Sequence, residues 1–159
     1  MRGEVLLLSS NVNVTANTDE TSMTLAYPRP YGCQILVSDF FEPSDFTYRF
    51  GEINLDNVAI FNCSQEGTEQ AALKFHYATK GVKKVTNSAI SSGLGHGVLI
   101  FESRDVTLDS SVIHDFIGWG VQAKKSSDIL VNSNVINGIK PANDWPPPYM
   151  VWSPMPGAL

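Results

Sequence analysis

The sequence predicts an all-β protein, specifically a right-handed parallel β-helix, a single-stranded solenoid with coils of about 23 residues. Segments recur at that offset, so that residues 94–98 align with 117–121, and residues 106–113 align with 129–136. Within each period, apolar residues alternate with polar ones in short runs that end at Asp, Ser or Gly, which is typical of strands. A helical repeat would need longer runs with 3.6-residue spacing, and a propeller blade needs about 40 residues.

Stacked coils should place like residues above like, about 4.8 Å apart. The polar column that we expect consists of Asn57, Asn87, Ser110 and Ser133. The apolar column consists of Ile60, Ile90, Ile113 and Ile136. Two glycine pairs, 95/118 and 97/120, mark a bend where a positive φ is expected.

The repeat predicts the bounds of each part of the chain. The β-helix should cover residues 27–140, with a first strand at 33–37 and a loop from Asp39 to Tyr48 before the next coil. The next coil begins at Leu55, and its offset of 30 indicates a looped insertion at residues 64–70, after which 72–75 align with 98–101. Residues 141–159 form a tail rich in Pro and Trp. Because a solenoid needs capped ends, we expect the chain to be a fragment of a longer one.

Composition excludes several classes of protein. The chain has 159 residues and a formal net charge of −5, from 11 Lys and Arg against 16 Asp and Glu, so we expect no nucleic-acid partner. Hydrophobic residues make up 43% of the chain, which is too many for a disordered protein. Charged residues are only 17%, so 16 Ser, 11 Asn and 9 Thr must supply most of the polar surface.

The two cysteines and two sequons bear on the compartment. Cys33 and Cys63 either form a disulfide or remain separate thiols, and the sequence does not decide between these. Asn13 and Asn62 each begin an Asn-x-Ser/Thr tripeptide, so they are the expected glycosylation sites of an extracellular protein. No spacing typical of a metal site is present, and we expect neither a metal nor a cofactor.

Two sets of residues are candidates for acid–base chemistry. Asp105 and Asp128 should stack one coil apart, where two carboxylates about 5 Å apart hold a cation or raise one pKa. His114 and Asp115 are the adjacent histidine–aspartate pair, and they would act as a general acid and base. In both cases we favour the simpler interpretation, solvated turn residues.

A candidate binding surface lies at the glycine-flanked bend. His96 and Trp119 are equivalent across the 23-residue offset and should lie one above the other, with Phe116 extending them. An exposed aromatic shelf stacks on the apolar face of a sugar ring. The alternative, which we favour, is that Trp119 packs inward or against the tail.

The order of these motifs resembles the family of fibrocystin and fibrocystin-L. Residues 3–12 are similar to the segment that closes the eight-glycine domain of that family, residues 32–37 follow at the family's spacing, and residues 55–67 resemble the first coil of its β-helix. The resemblance covers roughly residues 3–139, without the glycine-rich start of the first domain. It implies that residues 1–26 are the end of a preceding β domain, and that the parent protein is extracellular or anchored in a membrane.

Three hypotheses for function follow. The first is a non-enzymatic ectodomain module of a receptor-like or coat-forming protein, a rigid spacer with a face that binds a glycan or a protein. The second, implied by the related cell-surface hyaluronidases, is an enzyme that depolymerises hyaluronan with Asp105, Asp128, His114 and Asp115. The third is self-association through exposed coil ends.

Overall fold

The computed structural model describes residues 11–16, 32–65 and 67–141, and these residues form strands, turns and bends without a helix. The prediction of an all-β chain is confirmed. The strands in chain order are β1 (Val12–Thr15), β2 (Ile35–Ser38), β3 (Phe40–Glu42), β4 (Thr47–Arg49), β5 (Ile53–Asp56), β6 (Val58–Phe61), β7 (Ala71–His76), β8 (Lys83–Thr86), β9 (Ala89–Ser91), β10 (His96–Phe101), β11 (Arg104–Asp109), β12 (Val112–Ile117), β13 (Val121–Lys124), β14 (Ser127–Asn132) and β15 (Val135–Lys140).

Thirteen of these strands form three parallel sheets. Sheet 1 has the order β5-β8-β11-β14, sheet 2 has the order β1-β6-β9-β12-β15, and sheet 3 has the order β2-β7-β10-β13. The chain visits the sheets in turn, and one passage through sheets 1, 2 and 3 makes one repeat. Repeat 1 contains β5–β7, repeat 2 contains β8–β10, repeat 3 contains β11–β13, and repeat 4 contains β14 and β15.

The 23-residue period is also the register of the sheets. Val106 pairs with Ile129 in sheet 1, and Val98 pairs with Val121 in sheet 3. Between repeats 1 and 2 the offset in sheet 1 is 30 residues, because Leu55 pairs with Val85. Both offsets match the sequence prediction.

In sheet 3 the alignment predicted for residues 72–75 is wrong by one residue. Leu73 pairs with Val98 and Phe75 pairs with Ile100, instead of Ala72 with Val98. A shift of one residue turns every side chain of a strand to the other face of its sheet. The observed register stacks Phe75 on Ile100, and both are fully buried.

The core lies between the three sheets and follows the predicted apolar column. Ile60, Ile90 and Ile113 are 0% exposed, whereas Ile136 in the last strand is 44% exposed. Register places these residues directly above one another. Ile136 of repeat 4 therefore continues the column, but its side chain is in contact with solvent.

The corners between sheets require a left-handed backbone. The predicted polar column lies at the corner between sheets 1 and 2, and its members have φ between 48° and 57°: Asn57, Asn87, Ser110 and Ser133. Asn and Ser suit such corners because short polar side chains tolerate this conformation. Of the four glycines at the predicted bend, only Gly118 has a positive φ, of 114°.

A buried ladder of side-chain oxygens follows this corner. Ser88 Oγ accepts the amide hydrogen of Val58, at 3.2 Å. Ser111 Oγ does the same for Ser88, at 3.1 Å, and Asn134 Oδ1 does so for Ser111, at 2.9 Å. The ladder supplies acceptors for buried backbone amides that turn away from the sheets.

Residues before repeat 1 add a further layer to two of the sheets. The strands β1 and β2 pair with β6 and β7, and a disulfide joins Cys33 to Cys63. The segment predicted as a loop from Asp39 to Tyr48 contains most of an antiparallel hairpin, β3–β4, in which Phe41 pairs with Tyr48 and supplies an aromatic cross-strand contact. Most of the predicted end of a preceding β domain, at residues 1–10 and 17–26, and the predicted tail from residue 142 onward lie outside the described residues.

Candidate functional site

The predicted pair Asp105 and Asp128 occupies equivalent positions in β11 and β14. Both residues are exposed and have a positive φ, 55° and 58°. Arg104 Nη2 lies 3.3 Å from Asp128 Oδ2, which makes an exposed ion pair between repeats. Hydrogen bonds from Ser127 and from Arg104 lower the pKa of Asp128. An acid catalyst in this pair would need a raised pKa, whereas the site lowers the pKa of Asp128.

His114 and Asp115 both lie in β12, which belongs to sheet 2 instead of sheet 1. His114 stacks between Ser91 and Asn137. Asp115 has a φ of 59°, and its Oδ1 accepts a hydrogen bond from Lys140 Nζ at 2.9 Å. The two candidate pairs thus belong to different sheets, and each contributes a carboxylate to an ion pair with an adjacent repeat: Asp115 with the next one and Asp128 with the preceding one.

Two other carboxylates also accept a hydrogen bond from the next repeat; the sequence offset already stacks Asp109 on Asn132, whereas sequence reasoning missed the pair of Glu102 and Lys125. Glu102 Oε1 accepts from Lys125 Nζ at 3.0 Å, and Asp109 Oδ1 accepts from Asn132 Nδ2 at 3.0 Å. The donor in both pairs is one period ahead. Among the described residues, no group of three or more His, Cys, Asp or Glu side chains could hold a metal ion. The 23-residue offset itself was the signal that could have revealed these pairs.

His96 and Trp119 meet as the sequence predicts. The amide of Trp119 donates a hydrogen bond to His96 Nδ1 at 3.1 Å, and the imidazole packs over Gly118. Burial, and to a lesser degree the charge of Lys124, lowers the pKa of His96. Because Nδ1 accepts this bond, the neutral imidazole carries its proton on Nε2. Trp119 is 39% exposed, so inward packing is not observed, and the tail against which it was otherwise expected to pack lies outside the described residues.

The expected role of Phe116 in this surface is wrong. Its side chain is 1% exposed and belongs to the core. Gly93 leaves space for the ring, since a Cβ there would come within 1.8 Å of Phe116 Cε1. Strict alternation from Ile113 would turn Phe116 outward, but the left-handed Asp115, with a φ of 59°, interrupts the alternation, so that Ile113 and Phe116 both face the core.

A second aromatic surface, not predicted from the sequence, lies at the corner between sheets 3 and 1. His76, Tyr77 and Phe101 form a cluster with ring centroids 4.4 to 5.9 Å apart. Tyr77 is 46% exposed, and Lys125 Nζ lies 5.6 Å from the centre of the Phe101 ring. The observed register in sheet 3 places His76 beside Phe101. The sequence alignment, which is shifted by one residue, places Phe75 there instead.

The two sequons differ in access. Asn13 lies exposed in β1. Asn62 is half-buried with a φ of 56°, and Ser64 of its sequon is 1% exposed with its hydroxyl accepting the amide hydrogen of Gly95 at 2.8 Å. Cys63, between them, forms the disulfide. In the folded chain, Asn13 is the accessible acceptor.

Comparison with known proteins returned no match from family models, from curated proteins or from solved structures. The function is therefore inferred from the residues of this chain. The part of the chain that the structure describes contains no helix of the length and hydrophobicity that crossing a bilayer requires.

Proposed function

We propose that this chain forms a right-handed parallel β-helix and acts outside the cell as a non-enzymatic module, a rigid spacer whose aromatic face binds a glycan. The handedness is supported by the parallel connection from β5 through sheets 2 and 3 to β8, because crossovers between parallel strands of one sheet are almost always right-handed. The fibrocystin resemblance supports the same architecture.

The observation that carries the non-enzymatic assignment is the pairing of carboxylates between repeats. Asp115, Asp128 and Glu102 each accept a hydrogen bond from a cation in an adjacent repeat. A general acid needs a pKa near the working pH, whereas hydrogen bonds from Ser127 and Arg104 lower the pKa of Asp128. These groups serve to align repeats, which suits a spacer.

The extracellular assignment is supported by two features. Disulfides persist in oxidising compartments, and the bond between Cys33 and Cys63 joins two different layers of the stack. The exposed Asn13 offers a glycosylation site on β1. The fibrocystin resemblance adds a parent protein that is extracellular or membrane-anchored.

The glycan-binding assignment is supported by the exposed ring of Trp119. His96 holds the backbone of Trp119 through its hydrogen bond, and Lys124 lies 3.8 Å from Glu69 beside this imidazole. A sugar stacks its apolar face on an indole ring while its hydroxyls contact polar groups at the edge. Trp119 thus has the exposure and the polar neighbours that such a contact requires.

A binding and hydrolysis experiment on the full chain tests the proposal. Purified chain is titrated into fluorescently labelled oligosaccharides of hyaluronan, chondroitin and heparan sulfate while their anisotropy is recorded, and the size of long hyaluronan is followed with and without Ca²⁺. We expect saturable binding to one glycan class, at least about tenfold weaker binding for Trp119→Ala, and unchanged hyaluronan length.

Two variants separate this function from the enzymatic one. Asp105→Asn and His114→Ala should leave glycan binding unchanged. If the wild-type chain shortens hyaluronan and either variant stops the shortening, the non-enzymatic proposal is wrong. If no glycan binds, the proposed glycan-binding role is wrong, and only the proposed spacer role is left.

A further inference from the structure

The hairpin β3–β4 carries a group of aromatic side chains outside the repeats. Phe41, Phe46 and Tyr48 form a cluster, with the Phe41 centroid 5.2 Å from that of Tyr48 and 6.4 Å from that of Phe46. All three are exposed, and Phe46 is 82% exposed. We call these three residues the hairpin cluster. Its members contact one another, while the core of the sheets lies elsewhere.

Phe46 has two unfavourable properties at once. Its φ is 56°, a left-handed conformation that costs a bulky residue more than it costs Gly or Asn. Its ring is also almost fully in contact with water. Gly or Asn would fit this turn with less strain, so the turn itself does not require Phe. Strain and exposure that the fold does not need point to a role in binding.

The hairpin segment itself carries a negative charge, and Lys80, from another part of the chain, lies over Phe50 at its end, with Nζ 4.8 Å from the ring centroid. Residues 39–50 contain three acidic side chains and one basic one, a sum of −2. Arg49 pairs with Asp45. Glu42 accepts hydrogen bonds from the amide and the hydroxyl of Ser44, and no ion pair among the described residues includes it. The carboxylates of Glu42 and Asp45 border an aromatic surface whose ring faces also attract cations.

From this arrangement we propose that the hairpin cluster is a docking site for a basic peptide segment of a partner protein, in which a large apolar residue packs on Phe46 and an Arg or Lys residue reaches the carboxylate of Glu42. Aromatic anchors surrounded by polar groups are the usual centre of protein interfaces. A carboxylate next to the tip residue disfavours insertion into hydrocarbon, and the net charge of −5 disfavours an anionic membrane. The inference does not rest on the proposed glycan face.

The test uses the full chain as bait for a phage-displayed library of random peptides. Selected peptides are synthesised with a fluorescent label, and their affinity is measured by anisotropy. We expect the selected peptides to combine Arg or Lys with a large apolar residue. Phe46→Gly should bind them at least about 30-fold more weakly, because it removes the anchor. Glu42→Gln should bind severalfold more weakly and with less dependence on salt.

Fold integrity is readily separated from binding. Phe46→Gly relieves the left-handed strain as it removes the ring contact with Phe41, so its thermal midpoint should stay within a few degrees of wild type. Tyr77→Gly is the matched control, because Tyr77 is also an exposed aromatic residue with a φ of 56°, but its ring contacts His76 and Phe101. Peptide binding by Tyr77→Gly should equal that of the wild type.

Several outcomes overturn the proposal. One is a selection whose peptides lack basic residues or bind Phe46→Gly as tightly as wild type, and another is a selection without any binder. Phe46-dependent binding to phosphatidylcholine vesicles would assign the hairpin to a membrane. Phe46-dependent dimerisation in sedimentation velocity would assign it to a second copy of the chain.

Discussion

The repeats and the hairpin β3–β4 both contain residues in the left-handed backbone conformation, but in different settings. In the repeats, left-handed positions recur every 23 residues at the corners and are mostly Asn, Ser or Asp, as at Ser110 and Ser133. In the hairpin, the left-handed position is Phe46, which lies outside the stacked strands, whereas the aromatic residue with the same conformation at a corner, Tyr77, packs against His76 and Phe101. Repetition allows each corner to be supported by the next, whereas the hairpin depends on its own side chains. A residue in an unfavourable backbone conformation that no packing contact requires is therefore a better indicator of function than a left-handed residue at a corner.

Within the repeats, we expect the largest loss of stability from truncating a buried side chain of the apolar column. Ile113→Ala should lower the free energy of unfolding by about 2 to 5 kcal/mol, because Ile113 is 0% exposed between Ile90 and Ile136. Ile136→Ala, in the 44% exposed position, should cost less than about 1.5 kcal/mol. Urea unfolding followed by circular dichroism measures both, and equal losses would contradict the layered core.

Next in size is the link between the repeats and the layer that precedes them. A Cys33→Ser/Cys63→Ser double variant should lose about 2 to 4 kcal/mol of unfolding free energy, since the disulfide restricts a loop of 30 residues in the unfolded chain. That loop includes the hairpin. The comparison is made by thermal unfolding with and without reductant. Reductant should lower the stability of wild type alone, and a drop in the double variant as well would show that another effect is at work.

The buried ladder gives a smaller and more local test. Ser111→Ala removes the acceptor of the Ser88 amide, which leaves a buried donor without a partner, so we expect a loss of about 1 to 3 kcal/mol. Ser127→Ala, in an exposed position, is the control and should change stability by less than about 0.5 kcal/mol. Urea midpoints that coincide for the two variants would mean that the ladder does not support the corner.

The smallest effect concerns pH at the His96–Trp119 contact. The folded chain holds the pKa of His96 below its ordinary value of 6.5, so the neutral form is favoured in the native state. Its contribution to stability is present above pH 6.5 and is lost as the pH falls below that value towards the folded pKa. Protonation at Nδ1 would also remove the acceptor for the Trp119 amide.

The measurement is the thermal midpoint at pH 7.5 and at pH 5.5. His96→Asn keeps an acceptor oxygen but does not titrate, so its midpoint should fall less than that of wild type. Because Glu69 opposes the effect of Lys124 on the pKa, Glu69→Gln should enlarge the fall. A fall of the same size in wild type and in His96→Asn would assign the pH dependence to other groups.

Sequence reasoning could reach features that repeat at a fixed offset. The stacking of Ile90 on Ile113 and the contact of His96 with Trp119 both follow from the 23-residue period. It failed where the period is interrupted, as at Ala72, because the length of a loop does not determine which face the next strand presents. It failed also at Phe116, since aromatic residues suit both a core and a binding surface.

By itself, the sequence determined the period, the all-β class and the positions of the polar corners, because these depend on side-chain alternation and on local backbone preferences. Only the tertiary structure decided the register of β7, the bond between Cys33 and Cys63, and the partners of Asp115 and Asp128. Such contacts join atoms from different repeats, and their geometry exists only when the sheets have stacked. The hairpin cluster belongs to the same class, since exposure is a property of the folded chain.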